Sequence, residues 1–251
     1  MKNKVLIKMQ NISIFKSLRQ ALLITVIFSS TQLLAAGAGG GSHFSFLIGS
    51  NSANQSDLNG AIDDANAAVS GGITTKNLSS ATEFSFDYGY RFSSTMFSMI
   101  IRPGYFTQST TGSGTGGSYD YAVSGFSFFP MLRLTPLENS FIKFFMQVGV
   151  GYGLLNGDVT VGTTDIKFSG SAFGFQSGLG AEFCFTPEHC MVIEGNYRYL
   201  PMERNTGDNS TSCSASGFSQ CTGNNEIERG NKDIKTSMTG VLGSIGYVLR
   251  F

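Results

Sequence analysis

ATEFSFDYGYRF, residues 81–92, is the stretch of sequence that decides the fold. Aromatic side chains occupy every second position from Phe84 to Phe92, and the positions between them carry charged or small residues such as Glu83, Asp87 and Arg91. A period of two is that of a β-strand whose two faces meet different surroundings. One face here is apolar and the other charged, as in a strand with lipid on one side and a polar lumen on the other.

The same alternation recurs along the chain. It predicts eight strands, at residues 43–50, 81–92, 96–106, 119–134, 141–155, 166–185, 190–204 and 235–251. The connections alternate in length: they are long after the first, third, fifth and seventh strands and short after the others. Outer-membrane barrels have an even number of strands, long external loops and short periplasmic turns. The pattern therefore predicts an all-β, eight-stranded antiparallel transmembrane β-barrel. A soluble sandwich would place water, not aromatic side chains, on its outer face.

Composition agrees with a barrel and excludes other classes. The chain has 251 residues with 32 glycines and 22 phenylalanines, but only 14% charged residues. Its mean hydropathy is +0.04, so apolar and polar residues are finely mixed. No segment beyond the N-terminus has the roughly 18 uninterrupted apolar residues that a membrane helix needs. No basic patch or nucleic-acid-binding motif is present, so a nucleic-acid partner is not expected.

The N-terminus has the pattern of a secretory signal peptide. Five basic residues occur before position 20, an apolar core covers 21–28 and resumes at 33–36, and small residues follow at Ala36–Ala38. This pattern predicts a signal peptide over residues 1–38 and a barrel domain over 39–251. A transmembrane anchor is the alternative, but polar residues 29–32 interrupt the apolar run. Removing the five basic residues from 17 leaves 12 against 17 acids, a net charge of −5.

The end of the chain carries a second alternating pattern. Ile245, Tyr247, Leu249 and the terminal Phe251 share one parity, which looks like the C-terminal signal that barrels present to their assembly machinery. With residues 87–92 (DYGYRF) and 178–199, this end resembles the OmpA-type and opacity-protein barrel superfamily. The resemblance implies a bacterial outer-membrane location, with loops at the cell surface. It also implies outer-membrane lipids and the barrel assembly machinery as partners, and allows an extracellular ligand.

Charged residues at inward parity form one predicted group. The group consists of Glu83, Asp87, Arg91, Arg102, Arg133, Lys143, Glu182, Glu194, Arg198 and Arg250. An eight-stranded barrel has an interior just wide enough for side chains to fill. Charges packed there must pair, because an unpaired buried charge costs several kcal/mol. The favoured interpretation is a salt-bridge network that plugs the lumen, and a gated narrow conduit is the alternative.

The cysteines fall into two local pairs. Cys184 and Cys190 flank a five-residue turn, and Cys213 and Cys221 lie in one external loop. An exported chain meets an oxidising compartment, so both pairs are candidate disulfides.

Catalytic chemistry has few candidates. Only His43 and His189 could act as a base, and the sequence predicts both at the periplasmic end. The H-x-S spacing of His43 and Ser45 resembles that of lipid A deacylases, yet the strand places it far from outer-leaflet lipid. No metal-binding, phosphate-binding or calcium motif occurs. We therefore expect no catalytic residue, no cofactor and no metal.

The leading functional hypothesis is a non-enzymatic surface barrel whose external loops one and four have a structural or adhesion-like role. Residues 57–69 in loop one are predicted to form a short helix. The alternative is a narrow channel for small or hydrophobic solutes, as the OmpW-like barrels suggest, because Phe129 and Met131 point inward. A lipid-modifying enzyme is the third and disfavoured hypothesis.

Overall fold

A computed structural model describes residues 41–68, 75–114, 117–162, 164–208, 218–221, 223 and 225–251. The predicted signal peptide, residues 1–38, and Cys213 lie outside these ranges. Within the described part of the chain, no helix is long and apolar enough to cross a membrane.

Eight antiparallel strands close into a barrel, so the predicted fold class is confirmed. The barrel strands are β1 (Ser42–Asn51), β2 (Ala81–Arg91), β3 (Phe97–Gly114), β4 (Gly117–Glu138), β5 (Ile142–Val161), β6 (Thr164–Cys184), β7 (His189–Tyr199) and β13 (Gly240–Arg250). Each pairs with its neighbours in the sequence, and the pairing of β1 with β13 closes the ring. Closure leaves no unpaired edge, which a strand exposed to hydrocarbon could not tolerate.

The remaining elements all lie at the extracellular end. They are α1 (Ser56–Ala68), β8 (Pro201–Met202), β9 (Asn205–Gly207), β10 (Glu228–Arg229), β11 (Lys232–Asp233) and β12 (Thr236–Ser237). The helix predicted over residues 57–69 is present as α1. We call α1, residues 75–80 and the described part of 201–237 the extracellular platform.

The side chains of the membrane-spanning wall follow the predicted parity. Phe84, Phe128 and Val148 point outward and are 44–55% exposed, which in a membrane means contact with lipid. Asp87 and Arg102 point inward and are almost completely buried. The alternation read from the sequence thus corresponds to the two faces of the wall.

The prediction of two long loops is wrong, because the residues concerned continue the neighbouring strands. Residues 107–118 pair along β3 and β4 as far as Gly114 and Gly117, and residues 156–164 pair along β5 and β6 as far as Val161 and Thr164. β4 has 22 residues and β2 has 11. A membrane crossing takes about 9–11 residues, so the two long hairpins extend well beyond the membrane.

The polarity of the two faces inverts where these hairpins leave the membrane. On β5 the outward residues change from Tyr152 and Leu154 to Asn156 and Asp158, while inward glycines give way to Leu155 and further apolar residues. Lipid surrounds the lower part and water the upper part, so the hydrophobic effect requires opposite faces to be apolar in the two parts. Small and polar residues in the hairpins made this stretch look like loops.

The last two predicted strands are shorter than expected. β7 ends at Tyr199 and β13 begins at Gly240, so residues 200–204 and 235–239 do not belong to the wall. Leu200 and Met238 are instead fully buried beneath the platform. The chain leaves the wall here because burial of these two apolar side chains inside the mouth removes them from water. On the outer face of the wall, at the membrane boundary, they would be exposed to water.

Candidate functional site in the lumen and at the extracellular mouth

Arg102 is the centre of the charged group in the lumen. Its guanidinium donates from Nε and Nη2 to the two carboxylate oxygens of Asp87, both at 2.6 Å. It also donates from Nη1 and Nη2 to Glu194, at 2.6 and 3.0 Å. The planar fork of arginine thus binds two carboxylates at once, a geometry that lysine cannot reproduce. All three side chains are at most 2% exposed.

Arg133 continues this group toward the periplasm. It donates to Glu182 at 3.0 Å and to the side-chain oxygen of Gln147 from two nitrogens. Gln147 in turn donates to Glu194 at 3.1 Å and to Asn196 at 2.8 Å. The amide therefore joins the two arginine clusters into one hydrogen-bonded network. Within such a network each bond polarises its neighbours.

A separate ion pair, Arg198 with Glu83, lies between the charged network and the extracellular loops. Arg198 donates to both carboxylate oxygens of Glu83, at 2.8 and 2.6 Å, and from Nε to the backbone carbonyl of Met238 at 2.9 Å. Both charged side chains are at most 3% exposed. Arg198 therefore holds the residues that precede β13 against the wall.

The ten residues predicted for the lumen network occupy two levels. Seven are buried in the lumen: Glu83, Asp87, Arg102, Arg133, Glu182, Glu194 and Arg198. Three lie at the periplasmic rim: Arg91, Lys143 and Arg250. Arg91 pairs there with Glu138 at 2.5 Å, and Arg250 pairs with Glu182. Gln147 and Asn196 also belong to the network but were not in the predicted group; their inward parity and polar side chains are the sequence signal for them.

An apolar cluster fills the lumen above the charged network, and we call it the apolar plug. Its buried members include Leu58 and Ile62 of α1, Phe106, Phe129, Tyr121 and Phe168 of the wall, and Leu200, Ile227, Ile234 and Met238 beyond β7. All ten are at most 1% exposed. Wall, helix and final loop thus share one core, packed like the interior of a soluble protein.

Two glycines on β5 make room for the aromatic rings of the plug. A Cβ added to Gly151 would lie 2.5 Å from a ring carbon of Phe129, and a Cβ at Gly157 would collide with the ring of Phe168. Glycine at these two positions therefore lets an aromatic ring approach the backbone of β5 closely.

Hydrogen bonds hold α1 in the mouth. Asn59 accepts from and donates to the backbone of Leu78, at 2.7 and 3.0 Å. Gln55 does the same with Ser237, at 3.0 and 2.6 Å. These pairs connect the helix to both the following segment of loop one and the end of loop four. The platform is therefore built as one unit from residues far apart in the sequence.

A surface ion pair completes the contact between the helix and loop four. Arg229 Nε lies 2.6 Å from a carboxylate oxygen of Asp64. This hydrogen bond holds the pKa of Asp64 below its ordinary value and raises the pKa of Arg229. Both side chains are more than one third exposed, so solvent screens the pair.

The cysteines and histidines lie mostly at the periplasmic end. A disulfide joins Cys184 and Cys190, which are paired across the β6–β7 turn and buried. Cys221 is also disulfide-bonded, while its expected partner Cys213 lies outside the described residues. His43 is buried against Gly89, and His189 lies in the exposed turn beside the Tyr247 hydroxyl.

The four residues of the predicted assembly signal share the outward face of the wall. Ile245, Tyr247, Leu249 and Phe251 are 39–60% exposed. The ring of Phe251 packs 5.3 Å from that of Phe44, centroid to centroid. The signal residues are thus available to lipid or to a protein that recognises the free strand.

The sequence profile described as "Outer membrane protein beta-barrel domain" matches residues 21–220. The chain belongs to this family. It lies in a bacterial outer membrane, as the sequence predicts. No curated protein sequence matches the chain.

Solved structures share the fold at low sequence identity. Outer membrane protein OprG from Pseudomonas aeruginosa is 15% identical, with a TM-score of 0.54 over 85% of this chain and 96% of its own. A major outer membrane protein from Thermus thermophilus is 12% identical, with a TM-score of 0.51 over 84% of this chain and 99% of its own. These two barrels thus share the architecture of this chain over most of its length.

Proposed function

We propose that this barrel is a non-enzymatic surface protein whose extracellular platform binds a partner outside the cell. One observation carries the proposal: the lumen is filled at two successive levels, by the charged network and then by the apolar plug. The plug includes α1 and loop four, so the residues that close the lumen also shape the surface. Binding residues are often found on loops that a rigid scaffold holds in place, and the barrel wall holds the platform in this way.

The charge of the platform and the hairpin tips indicates the chemistry of the partner. The described extracellular residues include the acids Asp57, Asp63, Asp64, Asp120, Asp158, Asp165, Glu203, Asp208, Glu226, Glu228 and Asp233. They include the bases Lys76, Lys167, Arg204, Arg229, Lys232 and Lys235. The excess of carboxylates favours encounter with a positively charged surface and disfavours an anionic polymer.

An adhesion assay tests the binding role. Cells that display the barrel are applied to surfaces coated with polylysine, polyarginine or polyornithine, which are all positively charged, with the empty strain as reference. Asp63 is exposed on α1, and the variant Asp63→Lys is expected to reduce attachment. The same charge change in the exposed periplasmic turn, Glu188→Lys, is the matched control. Attachment equal to that of the empty strain on all three surfaces would contradict the proposal.

A conductance measurement tests the closed lumen. The barrel is expected to give no stable current in planar bilayers, because no continuous water path crosses two packed levels. The double variant Asp87→Asn with Glu194→Gln is expected to stay silent as well, because the apolar plug is unchanged. A stable current from the unaltered protein would refute the closed lumen.

A narrow channel for hydrophobic solutes is the second candidate. The upper lumen is apolar where Phe129, Met131 and Leu155 face inward, so it would suit an apolar solute if α1 left the mouth. Uptake of a hydrophobic dye into liposomes that contain the barrel measures this activity. Uptake above that of protein-free liposomes would favour the channel over the binding protein.

Geometry around the two histidines supports the absence of an enzymatic role. Both lie at the periplasmic end, and the Oγ of Ser45 has no hydrogen-bond partner among the described residues, so it is not paired with His43. A serine nucleophile requires a base within hydrogen-bond reach. Lipopolysaccharide with an altered acyl pattern in cells that express the barrel would contradict this part of the proposal.

A further inference from the structure

A small cavity lies at the periplasmic end of the lumen, where it borders the charged network. Its volume is about 10 Å³, roughly one water-sized sphere. The charged and titratable side chains that line it are His43, Arg91, Arg133, Lys143, Glu182 and Arg250. They come from β1, β2, β4, β5, β6 and β13, so most of the ring of strands contributes to this mouth.

Positive charge is in excess at the periplasmic mouth. Four cations face the cavity. Glu182 pairs with Arg133 and Arg250, Glu138 pairs with Arg91, and Arg133 also lies 3.5 Å from Asp87 of the network. Among the residues that the structure describes, no carboxylate lies within ion-pair distance of Lys143. The remaining strands β3 and β7 bring no charge to the lining.

Buried polar atoms at this mouth lack partners. His43 is 3% exposed and lines the cavity, and its Nε2 accepts or donates no hydrogen bond within the described chain. The Nε of Arg250, on the neighbouring strand, is likewise buried and unpaired. A buried polar group without a partner destabilises the fold because it has lost its hydrogen bonds to water, so a bound group that satisfies these atoms is favoured.

We propose that the periplasmic mouth binds a small oxyanion. One oxygen of a phosphate or a carboxylate enters the cavity between His43, Lys143 and Arg250, and the rest of the ion stays in the open mouth. The cavity admits one oxygen and not a whole phosphate group. The proposal does not depend on the binding role of the extracellular platform, which lies at the opposite end of the barrel.

Calorimetric titration of the folded, full-length barrel in a zwitterionic detergent tests the proposal. The probes are sodium phosphate, sodium acetate and sodium chloride at equal ionic strength and pH 7. We expect saturable binding of phosphate or acetate, one ion per barrel, and much weaker binding of chloride. The preferred oxyanion tells a phosphate ligand from a carboxylate ligand.

Two variants locate the site. Lys143→Gln breaks no ion pair and is expected to weaken oxyanion binding roughly tenfold or more, because a hydrogen bond to a charged group contributes about 1.5–3 kcal/mol. Lys232→Gln makes the same charge change on the extracellular surface and is expected to bind like the unaltered protein. Heat-modifiable migration on gels confirms that both variants are folded.

Three results would overturn the proposal. They are no saturable binding of either oxyanion, equal affinity for chloride and the oxyanions, and equal weakening in the two lysine variants. A third variant, His43→Phe, keeps every cation in place and removes only the buried imidazole. It is expected to weaken binding as well, and unchanged affinity would exclude the imidazole from the site.

Discussion

Removing the guanidinium of Arg102 is expected to destabilise the barrel more than any surface charge change. In Arg102→Met the carboxylates of Asp87 and Glu194 lose the four hydrogen bonds that Arg102 donates at 2.6–3.0 Å. Both carboxylates stay buried, with 0% of their side chains exposed. Two negative charges would then lie close together among packed side chains, without the cation that separates them.

The magnitude follows from what remains around the two acids. Breaking a buried ion pair by removing one partner costs about 3–5 kcal/mol. Arg133 Nη2 lies 3.5 Å from Asp87 and 4.0 Å from Glu194, so it compensates part of the loss. We therefore expect a decrease of about 3–5 kcal/mol in the free energy of unfolding, and not the sum of four separate bonds.

Urea titration of the barrel in lipid vesicles, followed by circular dichroism, measures this decrease. The matched control is Arg229→Met, which removes an exposed partner of Asp64 and should cost about 0–1 kcal/mol. The triple variant Asp87→Asn, Arg102→Met, Glu194→Gln removes the uncompensated charges and should recover most of the lost stability. The reasoning is refuted if Arg102→Met and Arg229→Met have the same unfolding midpoint.

Three further predictions concern lipid, assembly and pH. Phe128→Arg should cost about 2–4 kcal/mol in lipid and reduce the folded, heat-modifiable fraction; equal folding of Ser113→Arg and Phe128→Arg would contradict the membrane register. Deleting Phe251 removes about 2 kcal/mol of burial and should slow assembly in cells more than refolding in detergent; normal assembly in cells would exclude a recognition role. The hydrogen bond from Arg229 lowers the pKa of Asp64 in the folded protein. The stabilisation of the platform by this pair is therefore complete above the pKa of an unfolded aspartate, about 3.9, and it is lost as the pH falls through the lower pKa of folded Asp64. Hydrogen exchange of α1 should therefore increase at such acidic pH and, at neutral pH, in Asp64→Asn; no change in that variant would refute it.

Local alternation was sufficient for the membrane part of the wall. In the membrane part of β2 and β5 (84–90 and 144–154), the outward positions are apolar because lipid surrounds them, so sequence parity alone predicts which residues face inward. The same parity could not reveal that Gln147 joins Arg133 to Glu194. Arg133 and Gln147 are register partners on the neighbouring strands β4 and β5, but the bond from Gln147 to Glu194 depends on how β5 and β7 meet across the lumen.

The parity rule fails to predict the long hairpins for a different reason. Residues 155–161 still alternate, but Leu155, Val159 and Val161 are apolar toward the inside. An expectation of apolar residues facing outward fails once the strand leaves the membrane. A change in which parity is apolar, at Leu154 and Leu155 of β5, is the signal that could have located the boundary.

The sequence by itself determined the eight-stranded class, the faces of the wall and the inward position of a group of charges that would have to pair in the lumen. Those features depend on period and polarity, which are properties of neighbouring residues. Only the tertiary structure decided that α1 enters the mouth, that loop four completes the plug, and that cations gather beside His43 at the periplasm. Such contacts arise when closure of the barrel brings β1 beside β13, because closure places residues from both ends of the chain around one small lumen.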